Sequence, residues 1–362
     1  MNNLKRFFAL VLCLALMVTC FAGCHKKGEV AVKIGDVEFT SGYYACAFVL
    51  ADAEARTKVE ESLSEDELSG EIKYWKHKID KTEYAEWVQK TAIETLTEIA
   101  VYKTLCAENK VELDDEAIAL AKSEADYRWD TYGYSALMEP NGVARETFVN
   151  YITDGFLADE YFSFVYGKGG EKEIAADQVL KQLTDNYALV NKLEVSLSGM
   201  SDEEKTETKN QFAGYEASLK DGSKTFEDVM LDYNNQTAED HNHETEEGVL
   251  APQDAHAEVL GAEETYYESE HYATAKDMAV GDVKLITKED DSALIILVKK
   301  DIAADPYYIE NESYDIMLRR DIVGDDFDEE ITKLGKKMEC DVNTYSTKQF
   351  KVKNVVYPEY SY

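Results

Sequence analysis

Apolar positions recur along the chain with two periods, one helical and one of alternating residues. Val30-Ala31-Val32-Lys33-Ile34 and Val37-Glu38-Phe39 flank Gly35-Asp36, which predicts a strand, a turn and a strand. Thr40 or Ser41 caps the helix that follows through Tyr43, Tyr44, Phe48 and Val49. Residues 58–82 are charged and weakly patterned. From about Thr82 to Glu108 the helical period is strongest. Trp87, Thr91, Thr95, Ile99 and Cys106 lie on one side, and Val88, Ala92, Leu96 and Val101 widen it into a broad apolar face. Asn109-Lys110 breaks that helix, and Asp114 or Asp115 caps the next, which runs from about Glu116 to Tyr132. After a turn at Gly142 comes a helix through Phe148, Tyr151, Ile152, Phe156, Leu157 and Phe162.

Gly167-Lys168-Gly169-Gly170 reads as a linker, and the texture changes beyond it. Helices are expected at about Ala175–Asn186, Asp202–Leu219 and Phe226–Tyr233, with an alternating Leu193, Val195, Leu197 strand among them. Residues 236–272 are polar, acidic and rich in histidine, as expected of a long loop. Val283–Thr287 and Leu294–Val298 read as paired strands. A last helix, Tyr314–Lys337 with an interruption near Gly324, leads to strand-like residues around Val342 and Phe350–Val356. No solenoid-type repeat is found.

Composition sharpens this picture at the N-terminus. Lys5 and Arg6 precede an apolar run from Phe7 to Val18, the length of a signal-peptide core and too short to span a bilayer. It ends in Phe21-Ala22-Gly23-Cys24, which resembles a bacterial lipobox. The resemblance implies cleavage before Cys24, a diacylglycerol on its thiol and an extracytoplasmic protein held to the cell membrane. Of six cysteines, Cys13 and Cys20 leave with the signal and Cys24 carries the lipid, so Cys46, Cys106 and Cys340 remain free. They are too few for a disulfide framework and read as small buried residues. The 73 acidic residues against 38 basic ones give a net charge of −35. Such a polyanion repels nucleic acid and anionic headgroups; it either keeps a tethered protein soluble or favours cationic clients.

The order of these elements resembles that of the PrsA/SurA foldases, extracytoplasmic chaperones carrying parvulin-type peptidyl-prolyl isomerase domains. Val30–Glu38 is similar to the family's opening strand and turn. Ala100–Lys103 with Cys106–Glu116 is similar to its helix-break-helix, and Gly142–Phe148 to the turn before its next helix. Asp221–Val229 resembles the start of a parvulin helix, and Met278–Val283 the approach to its last strands. The resemblance implies an α+β fold, with a helical chaperone domain built from both chain ends and a parvulin-like α/β domain inserted between them. The expected segments are a signal peptide over 1–23, the first part of the helical domain over 24–166, the parvulin-like domain over 171–303, and a returning segment over 304–362.

The resemblance also places the family's catalytic cluster, and here the chain departs from it. An isomerase rotates an X-Pro amide through a barrier of about 18–20 kcal/mol with a positioned polar cluster. Lys181–Leu219 holds no histidine. Leu294 stands at the histidine position of the last strand, and Gln236 near the acidic or thiol position. Glu247–Pro252 keeps little of the family's glycine-rich signature. The expectation is a tethered foldase that binds unfolded exported polypeptides without isomerase turnover, and His271 is the side chain that would serve a rearranged site. Two alternatives stay open: an active isomerase with such a site, and a metal- or solute-binding lipoprotein.

Asp240-His241-Asn242-His243-Glu244, with His256 and His271, carries the second alternative, because imidazole and carboxylate suit zinc and related ions. His241 and His243 are the candidates, weighed against a solvated acidic loop; neither a metal nor a cofactor is expected. Tyr43, Tyr44, Tyr127, Tyr151 and Tyr161 either line a client groove or pack in the core. No Ser/His/Asp arrangement, Walker loop or dinucleotide fingerprint occurs. Labelled fatty acid is expected on the wild-type protein and not on Cys24→Ala, which should leave the membrane fraction. Membrane-bound wild type without label would refute the lipid anchor.

Overall fold

The computed structural model describes residues 29–241, 257–262, 270–288, 290–305, 308 and 310–358, with the side chains of 234–241 left aside. Cys24, His243 and His256 therefore lie outside the described residues, as does the side chain of His241. The fold is mixed α+β and divides into two compact units. One comprises the chain through Glu173 together with Asp325 onward; the other is Ile174–Gly324.

The first unit opens with β1 (Val30–Ile34) and β2 (Val37–Thr40), antiparallel with Ile34 opposite Val37. The turn between them needs glycine: Gly35 has φ +57°, and a Cβ there would come 2.8 Å from Met338 Cε. Thr40 caps α1 (Ser41–Glu61), its hydroxyl accepting from the Tyr43 amide at 3.3 Å. After a short helix, a 3-10 turn and a two-residue hairpin at 78–83 comes α2 (Tyr84–Asn109), which ends at Lys110 in the left-handed region. Asp114 then caps α3 (Asp115–Asp130), accepting from the Ala117 amide at 2.8 Å. The single helix expected after Gly142 is two, α4 (Arg145–Gly155) and α5 (Leu157–Tyr166).

In the second unit, α6 (Ala176–Asn186) leads into β3 (Tyr187–Ser196), then α7 (Asp202–Lys220) and α8 (Phe226–His241). Both later helices start in reciprocal caps. Ser201 pairs with Glu204, and Thr225 with Asp228, each acid reaching back to the capping residue's amide. β4 (Glu258–Gly261), α9 (Tyr272–Asp277), β5 (Val283–Thr287) and β6 (Ala293–Lys300) follow. The strands form one antiparallel sheet in the order β4-β3-β6-β5.

Both faces of this sheet are covered, so β6 reads as the unbroken apolar run Ala293–Val298. Leu193, Val195, Leu294 and Ile296 pack under α7 and α8 with Phe212, Tyr215 and Val229. Ala188, Val190, Ile295 and Leu297 face the other way, toward Ala275 of α9 and Leu260 of β4. β4 lies within the segment expected as loop; with only Val259 and Leu260 as an apolar pair, it carries too little pattern to be read.

The last long helix, α10 (Glu312–Gly335), runs through Gly324 without a break. A single glycine costs a helix about 1 kcal/mol but keeps its amide hydrogen bond, so neighbouring turns carry it. Within the first unit, Phe327 is buried among Phe162 and Tyr166 of α5, edge to face at 5.2 and 5.8 Å, and Tyr102 of α2. Gly335 lets α10 approach α2 closely, since a Cβ would sit 2.9 Å from Thr97 Cγ2. β7 (Cys340–Val342) then pairs antiparallel with β1, Val342 opposite Val32. α11 (Thr344–Thr347) follows. Phe350 contacts Tyr44 and Phe48 at 5.4 and 6.0 Å. The strand-like reading of 350–356 is not met, because Val352–Asn354 is a 3-10 turn that buries Val352.

Phe327→Ala is expected to lower the unfolding free energy by about 3–5 kcal/mol in chemical denaturation, the cost of emptying a buried phenyl site. Leu120→Ala, on the solvent side of α3, should change it by less than about 0.5 kcal/mol. Equal losses for the two would contradict the described core.

Candidate functional site

The residues implied as a catalytic cluster do not meet as one. Leu294 is 1% exposed and packs with Phe212 and Val229 in the core between the sheet and α7–α8. Gln236 lies on α8, its side chain outside the described residues. His271 caps the start of α9, whose Ala275 packs on the face of Ile295 and Leu297, opposite Leu294. Its Nε2 is buried without a hydrogen-bond partner among the described residues, and Glu270 Oε1 lies 3.9 Å away. Among the described residues no group of three His, Cys, Asp or Glu side chains is placed to hold a metal ion. Cys46 and Cys106 are buried free thiols, burial pushing the Cys106 pKa up to about 11; Cys340 is exposed.

The helical unit offers other features. A groove of about 470 Å³ runs between α2 and α10, with Thr91, Thr95, Thr97 and Ile331 in its walls. Glu94, Glu98, Asp328 and Lys336 also line it, so it is a threonine-walled, net acidic groove rather than the apolar cleft expected of a client site. Of the five tyrosines considered from sequence, Tyr44 is in the core, and burial pushes its hydroxyl up to about 12. Tyr43 packs on Tyr151 at 5.4 Å and donates to Asp154 at 2.6 Å, where Lys103 Nζ also donates at 2.6 Å. Tyr161 lies against Phe327. Only Tyr127 of the five is exposed, at 48%. Of the Trp87 stripe, Trp87 and Ile99 pack with the core, while Thr91 and Thr95 face the groove.

Tyr127 belongs to a surface feature of α3. That helix buries its small residues, Ala121 and Ala125, with Trp129, while Leu120 is 60% exposed. Leu120 and Tyr127 are two turns apart, hence on one face, and that face points away from the alanines. Tyr132 extends it, edge to face with Tyr127 at 4.9 Å and 62% exposed. The helix thus buries Trp129 with two alanines and leaves Leu120 and Tyr127 in solvent.

A second feature was not read from the sequence. Asp52 of α1 is fully buried, and burial raises its pKa despite three donors that favour the charged form. Tyr357 donates to Oδ2 at 2.9 Å, Arg56 Nε to Oδ2 at 3.2 Å and Tyr84 to Oδ1 at 3.1 Å. Arg56 also lies over the Tyr357 ring at 3.6 Å and the Tyr74 ring at 4.4 Å. One signal was present: an acid between Ala51 and Ala55 on a buried helix face, four residues before an arginine.

No helix of the described residues is long and apolar enough to cross a membrane. No family model and no curated protein matches the chain. Solved structures similar to it include the foldase protein PrsA from Streptococcus pneumoniae, 16% identical over 67% of this chain and 81% of that one, with a TM-score of 0.38. The foldase protein PrsA from Lactococcus lactis is 11% identical over 90% of this chain and 100% of that one, with a TM-score of 0.37. PrsA from Bacillus subtilis is 15% identical, covering 72% and 89%, with a TM-score of 0.31. These values lie below the level at which a shared fold follows from them.

Proposed function

We propose that this chain is a lipid-tethered extracytoplasmic chaperone that holds unfolded exported polypeptides and does not turn over X-Pro bonds. The observation that carries the holding activity is the exposure of Leu120 and Tyr127 on the outward side of α3, with Tyr132 just beyond its end, among the polar Ser123 and Glu124. Unfolded chains offer apolar side chains to such a face, and a tyrosine ring accepts varied partners because one edge is polar. The net charge of −35 favours cationic segments and holds apart copies of the protein itself. The acidic groove between α2 and α10 suits the same clients. In this reading residues 171–303 are the degenerate parvulin-like domain, and Cys24 carries the anchor.

Absence of turnover is supported by Leu294. Its place in a packed apolar layer leaves no polar atom there for a proline amide, and neighbouring Ile296 and Val229 supply none. His271 starts a helix on the other face of the sheet, so it does not replace the missing histidine at Leu294.

The full chain is expected to slow aggregation of an unfolded client, yet leave cis/trans exchange of a proline peptide at its spontaneous rate, roughly tens to hundreds of seconds at 25 °C. Leu120→Ala with Tyr127→Ala should weaken holding about five- to thirtyfold, from the loss of roughly 1–2 kcal/mol of apolar contact, without changing the helical content. A rate increase that survives His271→Ala would refute the absence of turnover. Unchanged holding by the double variant would remove α3 as the client face.

A further inference from the structure

Val356 and Tyr357 lie in a site whose features suit the recognition of an extended peptide. Val356 is held by its backbone: Asn141 Nδ2 donates to its carbonyl at 2.8 Å, and its amide donates to Asn141 Oδ1 at 2.9 Å. One amide side chain thus satisfies both main-chain groups of one residue, a contact that any non-proline residue can make. The Val356 side chain itself is 48% exposed. The next side chain, Tyr357, is the one that is read, with its hydroxyl on the buried Asp52 carboxylate and its ring under Arg56.

Beside this clamp lies a cavity of about 420 Å³ with mixed walls: Phe48, Phe350 and Val355 line it together with Glu139, Gln349 and Lys351, so part of it is built by the C-terminal segment itself. Phe48 precedes Asp52 by one helical turn, so the cavity and the tyrosine contact are neighbours along the same face of α1, about 6 Å apart. Asn141 joins them, since it lines the cavity and clamps Val356. The tail leaves this volume open.

We propose that Asp52, Arg56, Tyr84 and Asn141 form a recognition site for an extended polypeptide segment bearing a tyrosine, which the chain's own Val356–Tyr357 occupies in the absence of a client. The site reads one backbone unit and, one residue later, a phenol. A buried carboxylate is a costly way to fix a terminus, because packed apolar groups of similar size serve stability as well or better. It is a good way to select a hydroxyl, because an occupant that lacks one leaves the charge short of a donor. With the tail displaced, Asp52 keeps Tyr84 and Arg56 as donors and has a free place for one hydroxyl.

The proposal extends the client-holding function and is tested apart from it. A chain ending at Val355 is compared with the full chain, and the probe is a labelled peptide with the sequence of residues 354–362. By fluorescence anisotropy the shortened chain should bind the peptide saturably. Alanine in place of the tyrosine at position 357 should weaken binding about tenfold or more, as for the loss of a hydrogen bond to a charged group. The full chain, its own tail in place, should bind the tyrosine peptide about tenfold more weakly than the shortened one, and Tyr357→Ala in the full chain should recover part of the difference. Equal binding of the tyrosine and alanine peptides, or a folded shortened chain that binds neither, overturns the proposal. Loss of folding on shortening overturns it too, since the tail would then be a fixed part of the unit. If the full chain holds no aggregating client while the shortened chain binds the peptide, the proposed function fails and the site stands.

Discussion

The helical unit depends on closure between β1 and β7. Val32 faces Val342 across the ladder, and Asn343 Nδ2 donates to the Val30 carbonyl at 3.1 Å, between residues 313 apart in sequence. Bringing such distant residues together costs roughly 5 kcal/mol of loop entropy, and a short ladder on its own returns less than that. The difference is made up by side chains that the closure puts in place. Phe327 and Ile331 are buried on α10, and Phe350 packs against Tyr44 and Phe48, each burial worth roughly 1.5–3 kcal/mol. The glycines at the contacts are part of this economy. Gly35 and Gly335 mark the two places where any side chain would push Met338 or Thr97 out of position.

The sheet of the second unit obeys a different constraint, coverage on both faces. Alternate residues of β6 must be apolar in both directions, so Leu294, Ile295, Ile296 and Leu297 leave no position for a polar side chain within the run. This ties stability to chemistry. A histidine at 294 would have to be desolvated against Phe212 and Val229, which disfavours its charged form and leaves ring nitrogens to be paired. The apolar residue therefore secures the layer at the expense of any proton-transfer role there.

How much of this was legible in the sequence follows from how local each signal is. The caps at Thr40 and Asp114, the break at Lys110 and the hairpin at Gly35 are set by neighbouring residues, and all were readable. The ladder of β5 and β6 was readable because β-branched and apolar residues are dense there. β4 was not, since two apolar residues in an acidic stretch give no period and its place is fixed only by pairing with β3. The 3-10 turn at Val352–Asn354 was likewise mistaken for strand, because alternation of Val352 and Lys353 mimics a period of two over so few residues. The Asp52 cluster joins α1, α2 and the C-terminal tail, and no pattern within one segment encodes a partner on another. Only the acid between two alanines hinted at it.

Two kinds of surface on the helical unit bear on function for opposite reasons. α3 exposes apolar side chains that its own packing does not require, which gives weak contact with little selection. The Asp52 site buries a charge that its own packing does not require, which gives selection at some cost in stability. A protein that only needed to persist would reverse both choices, with Leu120 inside and an apolar residue at 52. A protein that must meet many different chains benefits from both. In the proposed function the first surface is the one for capture without regard to sequence, and in the proposed recognition site the second is the one that distinguishes segments presenting a phenol. The acidic charge spread over the rest of the molecule adds long-range attraction for cationic segments, falling off within about 8–10 Å at physiological salt, so it acts on approach rather than in the final contact.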